Sequence, residues 1–152
     1  MSETIWKPHT TVAALCERGG KFLLVKEKID GQIVFNQPAG HLEPNESLLD
    51  AVVRETLEET QYKFTPSGLL GIYRSIPEAT PEVTYLRFLF VGLVDQCLDG
   101  KLDDEIISVH WMSYEEIVSC RKHHRSPLVL LCIDDFLHKE PISLDIFSSQ
   151  FR

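Results

Sequence analysis

The 152-residue chain carries a formal net charge of −8, with 43% hydrophobic and 25% charged residues. A chain of this length buries roughly 70% of its unfolded surface, so a core needs neither a disulfide nor a structural metal, and one domain over residues 1–152 is expected. The negative charge argues against nucleic acid and anionic membranes as partners, because both select clustered Lys and Arg. No apolar run approaches the ~20 residues of a membrane span. Cys16, Cys97, Cys120 and Cys132 form no C-x-x-C pair and read as free thiols, and the opening "MSETIWKPHT" lacks an apolar signal segment. A cytoplasmic location is the expectation.

In chain order, "TTVAALCER" and "KFLLVKEK" flank Gly19-Gly20, and "QIVFNQPAG" follows Asp30-Gly31. Three antiparallel strands joined by tight hairpins are predicted. The period then changes. Leu48, Leu49, Val52, Val53, Thr56 and Leu57 recur at helical spacing, giving one amphipathic helix from about Leu48 to Thr60. Ser47, with Asp50 three residues later, marks its start. "GLLGIYRSI", "VTYLRFLFVGLV" and "IISVHWM" read as strands, with a turn at Asp99-Gly100 between the last two. "SYEEIVSC" and "PLVLLCIDDFLH" read as closing helices, the second with Pro127 in its first turn. Strands, helix, strands, helices: the order predicts an α+β fold with a central mixed sheet between helices.

The middle helix is where the acids gather. Glu43, Glu46, Asp50, Glu55, Glu58 and Glu59 stand on and before it, opposed by Arg54. At 100° per residue, Glu55, Glu58 and Glu59 fall within an arc of about 100°, so their carboxylates converge. They lie near the helix C-terminus, where the dipole disfavours each anion by roughly 0.3–1 kcal/mol. The Glu55–Glu59 spacing adds repulsion of about 0.2–0.5 kcal/mol. The arrangement costs on the order of 1–2 kcal/mol with nothing local in return. A glutamate-rich helix is ordinarily a solvated face. Here no Lys stands within reach of Glu55 or Glu58, and the Pro-Ala-Gly turn in "NQPAGHLE" lets backbone approach whatever the carboxylates hold. A hard divalent cation would reverse the sign of each repulsive term.

The same stretch resembles the signature of the Nudix hydrolases, G-x5-E-x7-R-E-U-x-E-E-x-G-U, where U is a bulky aliphatic. Gly40, Glu46, Arg54, Glu55, Glu58 and Glu59 match at the required spacings, while Thr56 replaces the first aliphatic and Gln61 the glycine. Tyr62 occupies the last bulky position. Further similarity, to a phosphatase branch of the family, runs through "KPHTTVA", "NQPAGHLE", "LRFLF" and "RSPLV". The resemblance implies a Nudix α/β/α sandwich and hydrolysis dependent on magnesium, with manganese as a substitute. It implies Glu55, Glu58 and Glu59 as metal ligands, the Gly40 carbonyl as a further one, and a supporting Arg54–Glu46 pair. The general base is Glu55 or a carboxylate of a later loop, where Asp103, Asp104 and Glu105 stand and Glu105 is favoured.

Implied substrates are nucleoside di- and triphosphates and thiamine-type pyrophosphates (thiamine pyrophosphate, hydroxymethylpyrimidine pyrophosphate), with release of orthophosphate. An ADP-ribose or dinucleotide pyrophosphatase is the alternative, although Pro77 lies 15 residues beyond Tyr62, one short of that subgroup's proline spacing. A nucleotide-sensing module without hydrolysis is the alternative of another class, and the intact Glu55, Glu58 and Glu59 argue against it. His41, Arg125, Lys26 and Arg87 are candidate phosphate contacts, each weighed against a plain surface or capping role. Phe35, Tyr73 and Tyr85 are candidate ring-stacking residues that also read as core. No exposed apolar stripe stands out in the sequence, so a monomer is expected.

Overall fold

This computed structural model describes residues 3–148. Strands β1 (His9–Arg18) and β2 (Lys21–Ile29) form a hairpin. Its turn places Gly19 at φ +58° and Gly20 at φ +78°, the double left-handed geometry that matches strand twist and that glycine adopts without strain. Asp30 and Gly31 take the same role before β3 (Gln32–Asn36).

The segment expected as one strand is two. Chain pairing breaks at Gln37-Pro38, and β4 (Ala39–His41) leaves β2 to pair with β1. Pro38 has no N–H to give a ladder. Both residues are buried, and the Gln37 side chain donates to the Val129 carbonyl at 2.8 Å. Helix α1 (Leu48–Thr60) has the expected bounds, with the Ser47 hydroxyl accepting from the Asp50 N–H at 3.0 Å. β5 (Phe64–Ser75) starts earlier than its apolar run, carrying Pro66 at a register irregularity where a missing N–H is tolerated. β6 (Tyr85–Val94), β7 (Ile106–Ser113), α2 (Tyr114–Ser119) and α3 (Leu128–His138) follow.

The sheet runs β3-β2-β1-β6-β5, with β4 on β1 and β7 on β2, and only β1–β6 is parallel among its pairings. Central β1 is buried on both sides, which is why its sequence reads as an unbroken apolar run. Val12, Ala14 and Cys16 pack with Val52 of α1, Phe64 and Phe90. Ala13 and Leu15 pack the opposite way, with Phe22, Leu24, Ile117 of α2 and Ile133 of α3. The result is an α/β/α sandwich. The four cysteines are free thiols. No helix among the described residues is long and apolar enough to cross a membrane.

Candidate active site

The three glutamates of α1 do not share one environment. Val52, Thr56 and Glu59 stand four and three residues apart, which stacks them on one helical face, and that face is buried against the sheet. Glu59 is 7% exposed. Its Oε2 accepts from the Ala39 N–H at 3.2 Å, and burial pushes its pKa up to about 9. Glu55 lies at the flank of that face, and burial likewise raises its pKa, with Arg54 opposing. Glu58 is the most open, its side chain 43% exposed.

Glu55 and Glu58 meet a third carboxylate, Asp103 of the β6–β7 connection. One oxygen of each lies within 4.8 Å of the others. Asp103 is brought there by its backbone, whose N–H donates to the Glu58 carbonyl at 3.0 Å. Glu105, favoured from the sequence, is not in this group. Its carbonyl accepts from the Lys28 N–H at 3.0 Å, and its charge acts on Glu27 of β2. Asp104 pairs with Lys101 at the surface.

Gly40 approaches from β4. A Cβ there would collide with the Glu55 carboxyl group, so space rather than backbone freedom demands glycine. Arg54 does more than support one loop. Its guanidinium donates to Glu46 at 2.7 and 3.0 Å, to the His41 carbonyl at 3.1 Å, to Glu55 at 2.8 Å and to Glu58 at 3.2 Å. The acid cluster therefore has a local return that the sequence argument missed, because a long arginine one turn before Glu58 curls over its neighbours. These hydrogen bonds, those to Glu46 foremost, raise the Arg54 pKa above its ordinary value and lower that of Glu46.

The expected phosphate contacts divide. Arg125 reaches the Glu27 carboxylate at 3.2 Å with its side chain 42% exposed, and Lys26 sits over the Phe35 ring at 5.9 Å. His41 packs edge-on against His9 at 5.8 Å, and burial foremost lowers its pKa, with Arg125 contributing. Arg87 is a correction: it is 5% exposed and faces the interior. There it donates to Asn36 at 3.1 Å and Gln37 at 3.3 Å, the two amides where the chain leaves the sheet. Glu27 is a carboxylate the sequence reading did not single out. It is 6% exposed, and burial raises its pKa. Strand alternation held the signal, since Leu23, Val25 and Glu27 share one face.

Residues 7–131 match the NUDIX domain family. The chain belongs to the Nudix family. Phosphatase NudJ of Escherichia coli (strain K12) is 42% identical over 127 residues, covering 82% of this chain and 80% of that protein. NudJ of Shigella flexneri is equally similar. A NUDIX hydrolase structure from Nitrosomonas europaea superposes with a TM-score of 0.90 at 46% identity, over 93% of this chain and 97% of that one. A MutT NUDIX hydrolase from Burkholderia pseudomallei shares the fold, with a TM-score of 0.72 at 17% identity over 86% of this chain and 98% of that one. The protein is thus a Nudix hydrolase acting on phosphorus-containing anhydrides.

The two departures of this Nudix chain from the signature have local explanations. The Thr56 hydroxyl donates back to the Val52 carbonyl at 2.7 Å, so it is buried with its polarity satisfied. Gln61 takes the left-handed conformation usually given to glycine, at φ 62°, and its N–H still closes on the Leu57 carbonyl.

Proposed function

We propose that this Nudix hydrolase is a magnesium-dependent phosphatase of nucleoside di- and triphosphates and of thiamine-type pyrophosphates, releasing orthophosphate. Manganese substitutes for magnesium, and the enzyme works as a cytoplasmic single-domain monomer. The observation that carries the reading is the meeting of Glu55, Glu58 and Asp103 beside Gly40. The likeness to the NudJ phosphatases supports the choice of product.

The donor set fits a hard cation. Three carboxylates within reach of one another, with no imidazole or thiolate among them, suit magnesium or manganese rather than zinc. Glu55, Glu58, Asp103 and the Gly40 carbonyl would hold it, with Glu59 behind them. When bound, the ion would supply positive charge against the phosphate oxygens.

The chain's own residues supply the rest. Hydrolysis proceeds by in-line attack of water on phosphorus, so the site must orient that water and take its proton. Glu55 is tied down by Arg54. The Asp103 carboxylate makes no hydrogen bond or ion pair among the described residues, so the oxygen not given to the ion is open to accept the proton. We assign it as the base. Arg54 and Glu46 hold the loop after β4 against α1, which fixes Gly40 over Glu55. Arg125, Lys26 and His41 are the proposed cationic or hydrogen-bonding contacts to the phosphate chain, a role supported by the partial exposure of Arg125.

The test is a panel of thiamine pyrophosphate and nucleoside di- and triphosphates, assayed with magnesium, with manganese and with chelator. Orthophosphate should appear from members of both classes only when metal is present. Pyrophosphate as the sole inorganic product, or turnover indifferent to chelator, would reject the proposal.

A further inference from the structure

The β6–β7 connection that delivers Asp103 hangs from the end of α1. The last carbonyls of a helix lack partners within it, and here several are taken up by that connection. The Leu98 N–H donates to the Gln61 carbonyl at 2.9 Å and the Asp103 N–H to the Glu58 carbonyl at 3.0 Å. The Gln61 side chain adds a crosslink that glycine cannot make. Its Nε2 donates to the Leu57 carbonyl at 3.1 Å and across to the Lys101 carbonyl at 2.9 Å. The amide oxygen occupies the space left by Gly100, where any Cβ would strike it. A glutamine here accepts a left-handed backbone that glycine would take without strain, so its side chain has to repay that choice.

We propose that Gln61 is a positioning residue: it seats the β6–β7 connection on the helix end so that the Asp103 carboxylate stands beside Glu55 and Glu58. This rests on the reading of Asp103 as part of the metal and proton-accepting site. Lys101 lies two residues before Asp103, so the crosslink and the Glu58 carbonyl together pin the approach to the residue that carries the carboxylate. Without the amide, two backbone bonds and a long Cys97 thiol contact to the Thr60 carbonyl at 3.9 Å hold a largely exposed stretch.

The experiment uses the full chain and Mn2+ as the probe, with affinity read by electron paramagnetic resonance, thermal midpoint by calorimetry, and kcat and KM with GTP. Gln61→Gly relieves the left-handed strain, so the midpoint should stay within about 3 °C of the parent's. Mn2+ affinity and kcat should nevertheless fall roughly tenfold, the scale of losing a group that orients a ligand. Gly100→Ala leaves Gln61 in place but fills the amide's space, and should reproduce the loss. Parental affinity and kcat in Gln61→Gly overturn the proposal. So does a loss accompanied by a midpoint drop beyond about 10 °C, which marks a role in folding instead. Asp103→Asn separates the two readings. If it keeps parental affinity and turnover, the site assignment of Asp103 fails; if it loses both while Gln61→Gly does not, only the role of Gln61 fails.

Discussion

The two helical layers that sandwich the sheet meet it on different terms. On α3 the inward positions are Val129, Cys132 and Ile133, all fully buried. On α1 the inward positions include Ala51 and Val52 but also Thr56, Glu59 and Thr60. One layer spends its face on apolar contact. The other gives up part of that contact to carry an inward carboxyl, two hydroxyls and, at its edge, the Glu55–Glu58 pair. Stability should therefore be concentrated in one layer and chemistry in the other.

The sharpest test of that division is Glu58→Gln. Removing an open carboxylate of the proposed metal site should lower kcat/KM by roughly 10²–10³, about 3–4 kcal/mol of transition-state stabilisation. Denaturation should be nearly unchanged, because the side chain is half exposed. A variant that unfolds early yet turns over normally would reverse the comparison. On the other layer, Ile133→Ala should cost about 2–5 kcal/mol of stability by chemical denaturation while kcat stays near the parent's. Arg54→Lys keeps the charge and loses the planar fork that engages Glu46 and Glu55 together. A fall in kcat of roughly tenfold is expected, with a smaller change in stability. The smallest effect should come from Thr56→Val, which restores the aliphatic character of the signature at that position. The hydroxyl bonds only its own helix, so unfolding free energy should move by less than about 1 kcal/mol.

What could be read from the sequence was local. The bounds of α1 follow from helical spacing and the Ser47 cap, and the hairpins at Gly19-Gly20 and Asp30-Gly31 follow from their turn chemistry. Burial of Glu59 was also within reach, since it stands seven residues, nearly two full turns, after Val52. Glu59 falls on the edge of the apolar stripe that Val52 and Thr56 define, as well as within the arc of the other two glutamates. That Asp103, and not Glu105, meets Glu55 and Glu58 was not legible. That choice depends on hydrogen bonds between the end of α1 and residues some 40 positions further along, and no local pattern encodes them. Arg87 misled for a related reason: alternation located it on a strand face, but its partners Asn36 and Gln37 belong to a chain exit that only the folded sheet defines.

Gln37 ties the sheet to the α3 layer. Its amide is fixed on one side by the Val129 carbonyl of α3 and on the other by Arg87 of β6. The next residues, Pro38, Ala39 and Gly40, run directly to the partners of Glu59 and Glu55. The end of the molecule that carries the carboxylate cluster is thus moored from the far side of the sheet. A transplant of α1 and its preceding loop into another scaffold would arrive adrift unless the recipient also furnished a carbonyl where Val129 offers one.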